Sequence, residues 1–110
     1  MKISEVLENA AFAAMIPGLW IRGAYAKDIS QNESLVLSQD SCEFCVIGIL
    51  ASVTGVALPM QNEALRNAKA MLRARLPEGI AWWNDKMAED AIEVAENLWL
   101  AAQSAKAGGN

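Results

Sequence analysis

An almost unbroken apolar run in the middle of the chain, CVIGILASV from Cys45 to Val53, constrains the fold more than any other feature. A helix built from this run has no polar face, and such a helix lies inside a fold and not on its surface. The run is too short for a membrane span, which needs roughly 18 continuous apolar residues. The sequence therefore predicts a buried central helix and no membrane partner.

Gly48 lies inside this apolar run. An interior glycine costs a helix about 1 kcal/mol relative to alanine, so its presence asks for a physical reason. We expect that reason to be the close approach of another backbone at this point. Asp40 and Glu43 have the spacing of a capping box, which predicts that this helix begins at Asp40 or Ser41.

Three further segments have the apolar periodicity of helices. Ser4 is the predicted cap of the first, and the next runs from about Asn62 to Leu76. The last begins at Asp90, which forms a capping-box pattern with Glu93. The stretch IAWWNDKM between the last two helices is interpreted as a connector.

A chain of 110 residues has the length of one domain. We predict an all-α, single-domain bundle of about four helices over residues 1–106, followed by a disordered tail at 107–110. A minor two-stranded element is allowed around residues 19–22 and 35–37. No internal repeat or low-complexity segment is found.

Charge and composition narrow the classes of partner. The net charge of −4 argues against nucleic acid, because phosphate binding needs a basic face. The hydrophobic content of 54% exceeds the usual 45–50% or so, which predicts apolar surface left over for a partner or for a second copy. No export signal is recognised, and with two cysteines this favours the reducing cytoplasm.

Cys42 and Cys45 are the two cysteines, three positions apart. A zinc site needs four ligands, and the chain has no histidine to complete one. The favoured interpretation is structural, with Cys45 buried and Cys42 at a helix start; a redox pair and a metal clamp remain the alternatives. We expect no metal and no cofactor, and the lack of histidine and of a phosphate-binding glycine loop leans away from catalysis.

The segment WND, from Trp83 to Asp85, is open to two interpretations. In the first, Trp83 packs inward while Asn84 and Asp85 bond to nearby backbone and fix the loop. In the second, the segment is part of a polar pocket for a small ligand. The candidate pocket residues are Arg22, Tyr25, Asp28, Trp83, Asn84 and Asp85.

The last helix carries the candidate interface. Leu100 falls on an acidic outer face, where an apolar residue has no core to enter unless a partner supplies one. We predict a homodimer or a partner groove there, and the candidate residues are Ile92, Glu93, Glu96, Trp99 and Leu100. The basic residues Arg66, Lys69 and Arg73 form an outer stripe that is most often merely solvated, with a partner footprint as the alternative. An exposed tryptophan would be a binding hot spot.

Three segments together resemble a family of small bacterial and phage proteins catalogued as a domain of unknown function. They are LWIRGAYAKD from Leu19, CVIGIL from Cys45, and WND followed by Glu93-Val94. The resemblance implies a mostly helical domain and no assigned activity. It matches Cys45 but not Cys42, so the two cysteines do not form one family motif. Departures include Leu19 for a glycine and Asp90 for a capping threonine; Glu89 replaces a basic residue, which puts any shared anion site in doubt.

These observations favour a small non-catalytic interaction protein, of phage or mobile-element origin, that binds another protein. The alternative is a small-ligand-binding protein or modest enzyme that uses Arg22, Asp28, Asn84 and Asp85. A buried WND segment favours the first, and a cleft lined by those four polar residues favours the second.

Overall fold

The computed structural model describes residues 1–28, 30–34 and 41–110, with the backbone alone for residues 41–43. The helices are α1 (Ile3–Ala14), α2 (Val46–Thr54), α3 (Glu63–Arg73), the short α4 (Ile80–Trp82) and α5 (Ala91–Ala107), and the strands are β1 (Ala26–Asp28) and β2 (Ser41–Phe44). The chain is a mostly α-helical single domain, as the sequence predicts.

Helix α2 lies at the centre of the domain. All six residues from Val46 to Ala51 are buried, and the helix contacts α1, α3 and α4. The prediction that it begins at Asp40 or Ser41 is wrong. Residues 41–44 form β2, because their backbone groups pair with β1, and Asp40 lies outside the described residues. Cys45 caps α2 instead, and its sulfur accepts the Gly48 N–H at 3.4 Å.

The predicted close contact at Gly48 is confirmed. A Cβ atom added at this position would lie 2.0 Å from the backbone oxygen of Tyr25, well inside van der Waals contact. The same oxygen accepts the Cys45 N–H at 3.2 Å. Glycine therefore lets the turn before β1 lie directly on α2.

Helices α1 and α5 make the most extensive helix–helix contact in the domain. The cap of α1 is Lys2 and not Ser4, because the Glu5 carboxylate reaches back to accept the Lys2 N–H at 3.0 Å. Ser4 lies within the helix, and its N–H and hydroxyl both donate to the Asn110 carbonyl. The end of the tail at 107–110 is thereby placed against the start of α1.

The helices α3 and α5 begin where the sequence places them, and the predicted cap at Asp90 is confirmed. Asn62 accepts the Leu65 N–H at 2.8 Å at the start of α3, and Asp90 accepts the Glu93 N–H at 2.8 Å at the start of α5. Helix α3 ends at Arg73, short of the predicted Leu76, which is held in a following turn.

The stretch 80–87 is helical, so the prediction of a connector is wrong. Helix α4 continues into a π-turn, Trp83–Met87, which the Ala88 N–H closes on the Trp83 carbonyl at 2.8 Å. Gly79 begins this segment with a φ of 94°, a backbone conformation that favours glycine. The physical reason for the helical geometry is the anchoring of the Asn84 side chain, described below.

A two-stranded antiparallel sheet pairs β1 with β2, with Ala26 opposite Phe44. The predicted segment 19–22 also pairs with Phe44, whose N–H donates to Leu19 and whose carbonyl accepts from Ile21, at 2.6 and 2.9 Å. The other predicted segment, 35–37, lies outside the described residues. None of the helices among the described residues has both the length and the hydrophobicity that a membrane-spanning helix requires.

Candidate functional site

The amide of Asn84 joins three segments of the chain in the interior. Its Oδ1 accepts the Trp20 indole N–H at 2.7 Å and the Val46 N–H at 3.0 Å. Its Nδ2 donates to the Ile21 carbonyl at 3.2 Å and to the Asp85 carboxylate at 3.0 Å. The side chain is only 1% exposed, and the two donors and two acceptor positions of the amide are all used. Asn84 therefore has a structural role.

Two charged side chains reinforce this junction from outside. Asp85 accepts the Gly23 N–H at 2.9 Å in addition to the amide of Asn84. The Arg22 guanidinium donates to the Ala88 carbonyl and lies over the Trp20 ring, 5.6 Å from its centre. The hydrogen bonds from Gly23 to Asp85 and from Arg22 to Ala88 hold the segment after α1 against the π-turn and the residue that follows it.

A cleft of about 300 Å³ opens beside the junction. Of the predicted pocket residues, it brings together Tyr25, Asn84 and Asp85. Its other lining residues are Gly23, Ala24, Glu33, Cys45, Ile47 and Ala81. Trp83 is buried in the core, and Arg22 and Asp28 do not line the cleft. The Asp28 carboxylate instead accepts the N–H groups of Ser30 and Asn32, within its own turn.

The thiol of Cys45, a buried residue that lines this cleft, is poorly suited to nucleophilic chemistry. Burial raises its pKa, and this effect outweighs the lowering of the pKa by the backbone N–H groups of Gly48 and Ile47; the negative charge of Asp85 adds a smaller increase. The thiol is therefore protonated at neutral pH, whereas the thiolate is the reactive form. Among the residues that the structure describes, no cluster of His, Cys, Asp and Glu could hold a metal ion. The Cys42 side chain lies outside them, so the predictions about the pair stay predictions.

A second feature is an apolar groove of about 600 Å³ between α1 and α5, here called the α1–α5 groove. It is lined by Ala11, Phe12, Met15, Ile92, Ala95, Glu96, Trp99 and Leu100. The Phe12 and Trp99 rings meet edge to face, with centres 6.2 Å apart, yet Phe12 stays 66% exposed and Trp99 41% exposed. Large apolar side chains thus stand open to solvent along two neighbouring helices.

The groove collects four of the five predicted interface residues, namely Ile92, Glu96, Trp99 and Leu100. Glu93 does not line it. That side chain is half-buried, and its carboxylate accepts the Glu89 N–H at 3.0 Å. The interface prediction did not include Phe12 or Met15. The signal for Phe12 is its position two residues from the buried Ala10 and Ala14, which places it on a different side of α1.

A third feature is an open cleft of about 680 Å³ between α3 and α4, here called the α3–α4 face. The predicted basic stripe, formed by Arg66, Lys69 and Arg73, lies along one side of it. Trp82 lies on the other side and is 47% exposed. Glu78 is the acidic member of the described lining.

The fold and these surfaces define a small helical domain with a buried asparagine junction and an exposed apolar groove. The model of a family of unknown function, DUF6197, matches residues 1–104, and the chain belongs to this family. A search of curated proteins finds no match, and neither does a search of solved structures.

Proposed function

We propose that this chain is a small non-catalytic interaction protein that acts by binding another polypeptide in the α1–α5 groove. The observation that carries the proposal is the exposure of Phe12, Met15, Ile92, Trp99 and Leu100 around one groove. Soluble domains seldom leave a contiguous apolar patch of this kind without a functional reason.

The size of the patch favours a docked helix. A large side chain covers about 150–250 Å² when buried, so these partly exposed side chains leave on the order of 500 Å² of apolar surface. A standard interface takes about 800 Å² from each partner. A groove between two helices, lined by aromatic and methionine side chains, is suited to an amphipathic helix that inserts apolar residues spaced three or four apart.

The charge around the groove indicates the chemistry of that helix. Glu96 lines the groove, and Glu89 is exposed just before α5. Basic residues on the edge of the partner helix would complement these carboxylates and select the partner. Two copies that met through the same face would instead bring their acidic residues together, which weakens the case for a symmetric homodimer.

The alternative function is small-ligand binding in the cleft beside Asn84. The cleft exists, but the hydrogen-bonding positions of the Asn84 amide are all used within the protein, and neither Arg22 nor Asp28 lines the cleft.

The proposal also includes a bacterial or phage origin, which rests on the family resemblance described above. It includes a cytoplasmic location as well, with which the free, buried thiol of Cys45 is compatible.

The test uses a synthetic helical peptide with leucines three and four apart and lysines beside them. A scrambled peptide of the same composition is the control. We expect the ordered peptide alone to shift NMR signals of α1 and α5, with micromolar affinity. Trp99→Ala/Leu100→Glu should weaken this binding at least tenfold, while Gln103→Glu, an added charge at an exposed site on the same helix, should not. Equal binding of both peptides, or none, would reject the proposed function.

A further inference from the structure

We propose that the polypeptide bound in the α1–α5 groove is the α3–α4 face of a second copy of this chain, so that copies join head to tail. This inference rests on the proposed function and names its partner. It is carried by the complementarity of two surfaces that lie on different elements of the same molecule.

The α3–α4 face offers an aromatic side chain beside positive charge. Trp82 is the last residue of α4, is 47% exposed and lines the same cleft as the basic stripe. Among the described residues one ion pair is found, and it joins Lys106 to Glu8. Arg66, Lys69 and Arg73 therefore have no carboxylate partner in the described part of the chain. Tryptophan and arginine are the residues most enriched in binding hot spots.

The α1–α5 groove offers the reverse. It has an aromatic and methionine lining that an indole can enter, with Glu96 at its side. Packing Trp82 against the Phe12–Trp99 pair would remove three partly exposed rings from water at one point. The groove therefore offers an apolar lining for Trp82 and a carboxylate for the basic stripe, and the α3–α4 face offers the aromatic side chain and the positive charge that the groove lacks.

The charged residues at the two surfaces are opposite in sign. Glu96 lines the groove, and Glu89 is exposed just before α5 begins. Glu93 does not line the groove, and its carboxylate already accepts the Glu89 N–H. Arg66, Lys69 and Arg73 lie on one side of α3, because residues three and four apart share a helix side. Glu96 and Glu89 are therefore the carboxylates that the basic stripe of a second copy would meet.

A contact between two different faces has a consequence for assembly. Each joined pair keeps one free groove and one free α3–α4 face, so growth continues until a ring closes or a chain ends. The charged part of the contact weakens as salt rises, since exposed pairs are screened. Self-association should therefore fall several-fold between 0.05 and 0.5 M salt without disappearing.

The test mixes two variants, each with one damaged surface. Trp82→Ala/Arg66→Glu damages the α3–α4 face, and Trp99→Ala/Leu100→Glu damages the groove. Circular dichroism and thermal melting first establish that each variant is folded. By light scattering at about 100 µM we expect wild type to form species larger than two chains and each variant alone to be monomeric. The equimolar mixture should form a species of two chains, held by its one intact junction.

Charge exchange then tests the pairing of the basic stripe with the carboxylates beside the groove. Arg66→Glu/Arg73→Glu should not associate with wild-type grooves, and mixing it with Glu89→Arg/Glu96→Arg should restore association at least tenfold. Wild type that stays monomeric, a mixture that stays monomeric, or association of either damaged variant alone would each overturn the inference. So would binding of a thymidine oligonucleotide by the basic stripe of a monomeric wild type. If the peptide of the preceding test still binds in those cases, the proposed function stands without this partner.

Discussion

Replacing Gly48 with alanine tests the central contact of the fold. The new Cβ would lie 2.0 Å from the Tyr25 oxygen and 3.0 Å from its carbonyl carbon. Both atoms belong to the backbone, so no side chain can rotate away to make room. The turn before β1 would have to move away from α2 by about 1.4 Å to bring the 2.0 Å distance to the 3.4 Å of an ordinary contact, an overpacking of a tight interior.

The expected cost has two parts. Overpacking of a core typically costs about 1–3 kcal/mol. Moving Tyr25 also stretches the hydrogen bond from the buried Cys45 N–H, now 3.2 Å, and an unsatisfied buried donor costs about 1–3 kcal/mol. The higher helix propensity of alanine offsets about 1 kcal/mol of this loss in the free energy of unfolding. We therefore expect a net loss of about 1–5 kcal/mol, centred near 3 kcal/mol, a large part of the roughly 5–15 kcal/mol that stabilises a typical domain.

Urea denaturation followed by circular dichroism measures this loss. Ser52→Ala is the matched control, because Ser52 is exposed on the same helix and its replacement tests propensity without the contact. The control should change the free energy of unfolding by no more than about 0.5 kcal/mol. A Gly48→Ala variant as stable as wild type, or more stable, would show that the backbone of Tyr25 does not lie on α2 as described.

Four further predictions concern the junction and the cysteines. Asn84→Ala should lower the free energy of unfolding by about 3 kcal/mol or more, because the buried Val46 N–H loses its acceptor along with the Trp20 indole; stability within 1 kcal/mol of wild type would contradict this. Asp85→Ala should cost less, about 1–2 kcal/mol, because the Gly23 N–H that it leaves is exposed to water and the buried Asn84 amide loses only one of its four hydrogen bonds. Burial raises the pKa of the Cys45 thiol in the folded state, so above about pH 8.5, the ordinary thiol pKa, only the unfolded chain loses this proton. The free energy of unfolding, measured by urea titration, should therefore fall as pH rises above this value, and Cys45→Ala should remove that part of the fall. Elemental analysis should find well under one zinc per chain; near-stoichiometric zinc that disappears in Cys42→Ser would refute the structural interpretation of the cysteines.

Local sequence determined most of the helices and two of their caps. The apolar run from Cys45 required a buried helix, and Gly48 within it required a close neighbour, whichever element supplied it. Asn62 and Asp90 cap their helices because their side chains bond to N–H groups only three residues away. Such features follow from interactions between near neighbours, which a sequence displays directly.

Tertiary structure decided what depends on distant partners. Asp40 and Glu43 have the local pattern of a helix start, yet residues 41–44 pair with 26–28, so α2 begins only at Val46. The WND motif marked Asn84, but no spacing indicates that its amide meets Trp20, 64 positions away.

The same limit applies to the surfaces. The exposed apolar residues of α5 were visible in the sequence, but Phe12 and Met15 complete the groove only because α1 packs along α5. Trp82 and the basic stripe likewise share one face only through the packing of α3 on α4. The pattern of apolar residues shows which side of a single helix is apolar. Each of these surfaces is formed by two helices, and which helices lie side by side is set by the packing of the whole core.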